Sequence, residues 1–212
     1  IANNAPESTM IVLAVKPQMM DEALAALRQL NNTNSAFLSI AAGISTNWLK
    51  KRLGSDAVVL RAMPNTPAAV GKGITALYSD VQNAVCDLAR QLLLAIGDVE
   101  LLDDEGLMDA VTAVSGSGPA YLFLLAETMS AAGVKAGLPE ILAKKLARAT
   151  VCGAGALMAA DDTPPATLRE NVTSKGGTTA AALSVLMAED GLPQLMEKAV
   201  DAAKRRSGEL GG

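Results

Sequence analysis

Short apolar runs alternate with segments of helical periodicity through the first half of the chain. Apolar runs of this kind are typical of strands buried on both faces of a parallel sheet. The predicted strands span residues 9–15, 36–40, 57–62 and 99–102, with a further extended segment that ends at Tyr78. Helices are predicted over residues 19–30, over residues 81–96, and from a cap at Ser45 or Thr46 through Leu53. This alternation indicates βαβ units and an α/β fold.

The second half of the chain is predicted to be helical throughout. Apolar positions recur at helical spacing over residues 106–112, 120–135, 139–160, 166–171, 178–189 and 192–209. We therefore place a domain boundary near Asp103. Residues 1–103 would be the remainder of a Rossmann-like dinucleotide-binding domain with a partial parallel sheet, and residues 104–212 an all-helical domain. A helical domain of about 105 residues is marginal alone. Its long helices are apolar over much of their surface, so we expect homodimerisation.

Composition and charge exclude several kinds of partner. The net charge is −4, and nucleic-acid binding needs clustered Lys and Arg, so no nucleic-acid partner is expected. No apolar run approaches the ~20 residues of a membrane span. The first residues, 1–4, do not resemble a signal peptide, so a cytoplasmic location is expected, with no membrane partner. Cys86 and Cys152 lack metal or redox spacing and are expected to be buried thiols, with no metal site.

The chain contains no histidine. This excludes Ser-His-Asp and Cys-His catalysis and all histidine metal sites. Any chemistry must come from a carboxylate, a lysine, a hydroxyl, backbone groups or a cofactor.

The segment from Asn171 to Thr179 crowds glycines and hydroxyl side chains into the start of a predicted helix. The first turn of a helix has unpaired N–H groups and a partial positive charge, which suits a small carboxylate. Gly176 and Gly177 would let a ligand approach the backbone closely. The alternative is an ordinary helix cap, with the Ser174 or Thr178 side chain as the capping group.

Loops that follow three of the predicted strands form a candidate cofactor crevice, because the carboxyl ends of parallel strands meet at one edge of a sheet. Lys16 would meet a phosphate or ribose there, and a solvated strand end is the alternative. Ala42 and its small neighbours would let a flat ring lie against the backbone. Asn65 also follows a strand, and its alternative is a simple turn. Glu105 ends an acidic run that by itself is typical of a helix N-terminus.

A dinucleotide fold normally opens with a strand, a G-x-G-x-x-G turn and a helix. The sequence has no match in that context. We therefore expect the chain to begin in the middle of a Rossmann-like sheet. On this expectation, the chain alone would hold a dinucleotide weakly.

Five short motifs are spread over nearly the whole chain. They are AVKP at residues 14–17, SIAAG at 39–43, RAMPNTP at 61–67, SGSGPAY at 115–121 and NVTSKGGTT at 171–179. In this order and with these gaps, they resemble the pyrroline-5-carboxylate reductase family. The resemblance implies hydride transfer from NADP(H) or NAD(H) to the C=N carbon of 1-pyrroline-5-carboxylate, which gives L-proline in the last step of proline biosynthesis. It also implies a homodimer or a higher homo-oligomer.

The resemblance also implies roles for individual residues. Thr179 and Glu105 are the implied catalytic residues, with Glu105 near the substrate's ring and the Thr179 hydroxyl on the ring nitrogen. Because threonine is too weak an acid for conventional proton donation, we expect Thr179 to orient the imine or to act through water. The implied cofactor-binding residues are Ala14, Val15, Lys16, Pro17, Ile40, Ala42, Asn65 and Asn171. The implied substrate-binding residues are Ser174, Gly176, Gly177, Thr178 and Thr179.

Two alternatives remain open at this point. One is a related dehydrogenase of the same superfamily that acts on a different small carboxylate. The other is an inactive oligomerisation module that lacks a complete nucleotide-binding loop. The sequence does not decide between NAD and NADP.

Overall fold

The structure, a computed structural model, describes residues 8–28, 34–81 and 83–210. Cα packing divides the chain into two compact units. The first comprises Ile1–Pro119 together with Val200–Gly212, and the second comprises Ala120–Ala199. Each unit is described by itself below.

The first unit contains a five-stranded sheet, which confirms the predicted fold class. Its strands are β1 (Ser8–Leu13), β2 (Asn34–Ser39), β3 (Val58–Met63), β4 (Gly73–Ser79) and β5 (Gly97–Leu102). They lie side by side in the order of the sequence. β1, β2 and β3 are parallel to one another, with Leu13 opposite Ser39 and Ser39 opposite Arg61. The apolar runs therefore form the strands that their pattern predicted.

One pairing departs from the parallel arrangement. β3 and β4 are antiparallel, whereas β4 and β5 are again parallel. The cause is the connection over residues 64–72, which holds only a 3₁₀ turn at Thr66–Val70. A parallel crossover needs a dozen or more residues, usually with a helix, so a connection this short returns the chain in the opposite direction.

Helices pack on both faces of this sheet because side chains alternate along each strand. They are α1 (Met20–Leu27), α2 (Thr46–Leu53) and α3 (Ala84–Leu94). Phe37 packs with residues of α1 and α2 in one core cluster, and Leu38 packs with residues of α3 in the other. Cys86 is buried in the second cluster, as predicted. Burial raises the pKa of its thiol, and the negative charge of Asp87 adds to the shift.

The rest of the described chain forms helices and turns. After a 3₁₀ turn at Glu105–Leu107 and α4 (Met108–Val111), a π-helical turn at Thr112–Gly116 leads into the longer helices. These are α5 (Gly118–Lys135), α6 (Glu140–Met158), α7 (Pro165–Asn171), α8 (Thr178–Leu186) and α9 (Leu192–Leu210). No helix in the described ranges is long and apolar enough to cross a bilayer.

The compact units do not divide where the secondary structure changes. β5 ends at Leu102, but the unit that contains the sheet continues to Pro119 and includes the chain from Val200 onward. A contact within that unit joins the two parts, since the Ser207 hydroxyl donates a 2.7 Å hydrogen bond to Asp109. The boundary near Asp103, as the limit between two functional domains, stays a prediction.

Large apolar side chains are exposed along the helices of the second unit. Phe123 on α5 is 68% exposed, Ile141 on α6 is 86% exposed, and Val185 on α8 is 71% exposed. Cys152 on α6 is also exposed, so the prediction that it is buried was wrong for the single chain. The periodic pattern of α6 predicted a helix but not which of its faces would be covered within one chain. Exposed apolar area on this scale marks an interaction surface.

We expect the apolar side chains of α5 and α6 to lie in a homodimer interface of more than ~2,000 Å² in total. Replacing Ile141 with Glu should place a charge in that interface and shift the protein towards monomer, measured by light scattering at micromolar concentration. Gln91→Glu adds the same side chain to an exposed position of α3 and should leave the dimer intact. A wild-type protein that is monomeric at this concentration would contradict the expectation.

Candidate active site

Three loops meet at one edge of the sheet, because β1, β2 and β3 run in the same direction. The backbone N–H of Ile40 donates a 3.2 Å hydrogen bond to the carbonyl of Leu13, which places the ends of β1 and β2 side by side. Ala14 to Pro17 follow β1, Ile40 to Ser45 follow β2, and Pro64 and Asn65 follow β3. Ligands of open α/β sheets bind in a crevice at such an edge.

The loop after β2 has buried residues on either side of a small, half-buried side chain. Ala41 is 6% exposed and Ile44 is 3% exposed, whereas Ala42 between them is half-buried. Gly43 has a φ of 78°, a conformation that favours glycine. From Ala41 to Gly43 no side chain extends beyond Cβ, so a flat ring would reach the backbone. Lys16 is exposed at the neighbouring strand end, where a phosphate or ribose would be accessible to it.

Asn65 has a structural task in addition to its predicted role. Its Oδ1 accepts a 3.0 Å hydrogen bond from the N–H of Ile74, and its Nδ2 donates a 3.3 Å hydrogen bond to the Ser115 hydroxyl. These bonds fix the loop after β3 to the start of β4 and to the π-helical turn. Asn65 therefore does more than form a simple turn, because it links three segments. Its contact with the cofactor stays a prediction.

Glu105 lies in a hydrogen-bond network that was not predicted from the sequence. Its carboxylate accepts hydrogen bonds from the Thr46 N–H (2.8 Å), the Thr46 hydroxyl (2.6 Å) and Arg61 Nη1 (3.1 Å). The sequence did hold one signal for this network: Arg61 lies inside an otherwise apolar predicted strand. A buried arginine needs an anionic partner. The contact of Glu105 with a substrate ring stays a prediction.

The start of α8 has no side-chain cap among the described residues. Gly177 is the N-cap, and Thr178 and Thr179 are the first residues of the helix. The alternative of a cap by the Ser174 or Thr178 side chain is therefore wrong. The first recorded bond of the helix runs from the Ala181 N–H to the Gly177 carbonyl. The N–H groups of the preceding residues in the first turn have no acceptor within the helix, so they are available to an anion.

The two glycines at this helix start have separate reasons to be glycine. Gly176 has a φ of 72°, which L side chains rarely adopt. Gly177 has an extended backbone, but a Cβ there would lie 2.3 Å from the Ser174 hydroxyl and 3.2 Å from the Ser174 carbonyl. Any side chain at Gly177 would therefore displace Ser174.

The remaining predicted residues belong to the second unit with α8. Asn171 is the last residue of α7 and is exposed. The Thr173 hydroxyl donates a 2.6 Å hydrogen bond to the Arg169 carbonyl at the end of the same helix, which orders the turn that leads to Ser174. Thr179 is half-buried, whereas Thr178 is exposed. The segment thus presents a glycine turn, free backbone donors and one partly sheltered hydroxyl.

Comparison with known proteins decides what this arrangement belongs to. Residues 105–210 match a family model described as pyrroline-5-carboxylate reductase dimerisation. A pyrroline-5-carboxylate reductase from Pseudomonas aeruginosa is 44% identical over 211 residues, which cover 99% of the chain and 77% of the relative. The chain belongs to the pyrroline-5-carboxylate reductase family. Residues 105–210 therefore correspond to the dimerisation domain of that family.

Solved structures of pyrroline-5-carboxylate reductases have the same fold. The enzyme from Coxiella burnetii is similar with a TM-score of 0.89 and 36% identity, over 96% of this chain and 76% of that one. The Plasmodium falciparum pyrroline carboxylate reductase, solved with NADP bound, is similar with a TM-score of 0.84 and 32% identity, over 96% of this chain and 77% of that one. The partial Rossmann-like sheet and the helical half thus both correspond to the reductase architecture.

We expect Ala42→Trp to block binding of the nicotinamide cofactor in the intact enzyme. The indole would fill the space above the loop after β2, where the native side chain ends at Cβ. NADPH and NADH affinity, measured by fluorescence titration, should fall at least about tenfold, which corresponds to about 1.4 kcal/mol.

The Ala42→Trp variant should remain dimeric, because its sheet loop lies outside residues 105–210. Ala69→Trp is the matched control, since Ala69 is an exposed alanine of the 3₁₀ turn after β3. Unchanged cofactor affinity in Ala42→Trp would remove Ala42 from the binding site.

Proposed function

We propose that this member of the reductase family converts 1-pyrroline-5-carboxylate to L-proline by means of the uncapped start of α8 and the loops at the edge of the sheet. The observation that carries the assignment is the helix start itself. It combines free first-turn N–H groups with a glycine turn and an adjacent half-buried hydroxyl, all within residues 174–179. This set matches a small ring that carries one carboxylate and one basic nitrogen.

The substrate carboxylate binds the free N–H groups at the start of α8, from Thr178 onward, since the Gly177 N–H already donates a 3.0 Å hydrogen bond to the Ser174 carbonyl. The partial positive charge of the helix N-terminus favours the anion, and hydrogen bonds to a charged group are stronger than neutral ones. Gly176 and Gly177 leave the backbone open to the carboxylate, and Ser174 lies where its hydroxyl can contribute. No histidine or arginine is needed for this step.

The Thr179 hydroxyl orients the ring nitrogen. Thr179 is the second residue of α8, close in sequence to the carboxylate-binding N–H groups, so a five-membered ring held by its carboxylate would have its nitrogen within reach. The hydroxyl accepts a hydrogen bond from the protonated imine or relays its proton through water. The protonated imine is already electrophilic, so a strong general acid is not required.

The edge of the sheet fits a nicotinamide cofactor, on the observation that the loop from Ala41 to Gly43 offers only small side chains beside exposed Lys16. Ala14 to Pro17, Ile40, Ala42 and Asn65 would hold the cofactor, and a cofactor contact of Asn171 stays a prediction. When bound, NAD(P)H supplies the hydride that reduces the C=N bond. The chain's own residues orient the dinucleotide.

The proposal extends to the setting of the enzyme. Its partners are 1-pyrroline-5-carboxylate, L-proline and a second copy of the chain. We place the enzyme in the cytoplasm, with the reaction as the last step of proline biosynthesis. The direct test is NAD(P)H oxidation on addition of 1-pyrroline-5-carboxylate, with L-proline identified as the product. Absence of turnover by the intact enzyme with either nucleotide would reject it.

We expect Thr179→Ala to lower kcat/KM for 1-pyrroline-5-carboxylate while the fold and cofactor affinity hold. Loss of one hydrogen bond to a charged group costs roughly 1.5–3 kcal/mol, or about 10- to 150-fold. Ser184→Ala is the matched control, since its hydroxyl lies on the same helix and bonds the Ala181 carbonyl. If the activity of Thr179→Ala stays within about twofold of wild type, Thr179 has no role in the reaction beyond its place in the helix.

We expect Gly177→Val to be more damaging than Thr179→Ala. The new side chain would displace Ser174 and cover the backbone donors that bind the carboxylate. Steady-state kinetics should show a rise in the KM for 1-pyrroline-5-carboxylate at unchanged NADPH affinity. Gly191→Val, in the turn before α9, is a control for general strain at a helix start, since a Cβ there meets backbone atoms below 3.0 Å. Equal losses of stability and activity in both variants would favour a purely structural role for Gly177.

A further inference from the structure

The Glu105 carboxylate is fully engaged by donors of the first unit. Oε1 accepts from the Thr46 N–H and from Arg61, and Oε2 accepts from the Thr46 hydroxyl. The Arg61 side chain is 7% exposed and the Glu105 side chain is 20% exposed. Two opposite charges this deeply buried stabilise each other, since removal of one leaves the other buried without a counter-charge.

The network fixes the point at which the loop after β2 ends. Thr46 is the first residue of α2, and Ser45 before it is the N-cap, whose hydroxyl accepts from the Trp48 N–H at 3.1 Å. Ser45 and Glu105 together satisfy donors of the first turn that have no acceptor within the helix. The carboxylate also lies at the positive end of α2, where a negative charge is favoured.

The other end of the same loop is fixed by the sheet. Ile40 bonds the end of β1 through its N–H, and the Ala41 N–H donates a 3.3 Å hydrogen bond to the Ser39 hydroxyl. Between these anchors lie Ala42 and Gly43, which make no direct hydrogen bond to Glu105 or Arg61. The position of this short stretch therefore depends on both ends, and Glu105 holds one of them.

We propose that Glu105 is a positioning residue for the cofactor, acting through Thr46 on the loop from Ile40 to Ser45, with Arg61 holding the carboxylate in place. The inference rests on the proposed function, in which this loop carries the nicotinamide. It assigns Glu105 a role other than contact with the substrate's ring, and it adds Thr46 and Arg61 to the residues on which cofactor binding depends.

Two variants of the intact enzyme test the network. Glu105→Gln removes the negative charge that pairs with Arg61 and leaves one acceptor oxygen in place of two for the donors of Arg61 and Thr46. Thr46→Val removes only the hydroxyl and keeps the backbone N–H and the shape of the side chain. Asp103→Asn is the matched control, since Asp103 is an exposed carboxylate two residues before Glu105.

The readouts are the dissociation constants of NADPH and NADH, by fluorescence titration, and the separate KM values for nucleotide and 1-pyrroline-5-carboxylate. Glu105→Gln should weaken nucleotide binding at least about tenfold, and Thr46→Val should weaken it about three- to tenfold. The KM for 1-pyrroline-5-carboxylate should stay within about twofold in both, and Asp103→Asn should match wild type. If Glu105→Gln does not fold, the Thr46→Val result decides.

Opposite outcomes overturn the proposal. A raised KM for 1-pyrroline-5-carboxylate at unchanged nucleotide affinity would make Glu105 a substrate contact. Unchanged nucleotide affinity in Thr46→Val would break the link to the loop. Because nucleotide binding is measured without turnover, failure here is distinguishable from failure of the proposed reaction, which would appear as a wild-type enzyme that binds nucleotide but does not reduce the substrate.

Discussion

A buried arginine requires an anion, and in this chain that requirement ties together segments that are far apart in sequence. Arg61 lies inside β3, and its partner Glu105 follows β5. The same carboxylate accepts both polar hydrogens of Thr46, at the start of α2. The end of the parallel strands, the first turn of a helix and the turn that leads into the helical half are therefore fixed to one group. Loops at a sheet edge are otherwise the most mobile parts of an α/β fold.

The absence of histidine shapes the chemistry at the other site. A reductase that acts on a protonated imine needs little acid–base work, since the hydride comes from a cofactor and the electrophile is already charged. What remains for the protein is to hold a carboxylate and orient a nitrogen. Backbone N–H groups and one hydroxyl suffice for both tasks, and we propose that the uncapped start of α8 supplies them. The two glycines there keep the donors accessible. Gly176 adopts a left-handed backbone conformation, and Gly177 has no side chain that would collide with Ser174.

Local patterns predicted the elements well because strands and helices depend on local periodicity. The Ser45 cap and the apolar runs that became β1, β2 and β3 were confirmed. Long-range pairings were not predictable in the same way. The direction of β4 depends on the length of the connection after β3, and the exposure of Cys152 depends on which face of α6 the chain covers. Glu105 contacts residues 44 and 59 positions away, which no local pattern specifies. Because these contacts are long-range, the acidic run around Glu105 by itself indicated only an ordinary helix N-terminus.

In the proposed mechanism, the start of α8 binds the substrate's carboxylate. Its most direct test compares kcat/KM for 1-pyrroline-5-carboxylate with kcat/KM for 1-pyrroline, which lacks that group, in the wild-type enzyme and in Gly177→Val. We expect the wild type to prefer the carboxylated substrate by at least about tenfold, or about 1.4 kcal/mol, and the variant to lose most of this preference. A preference that is the same in both enzymes would show that the carboxylate is bound elsewhere.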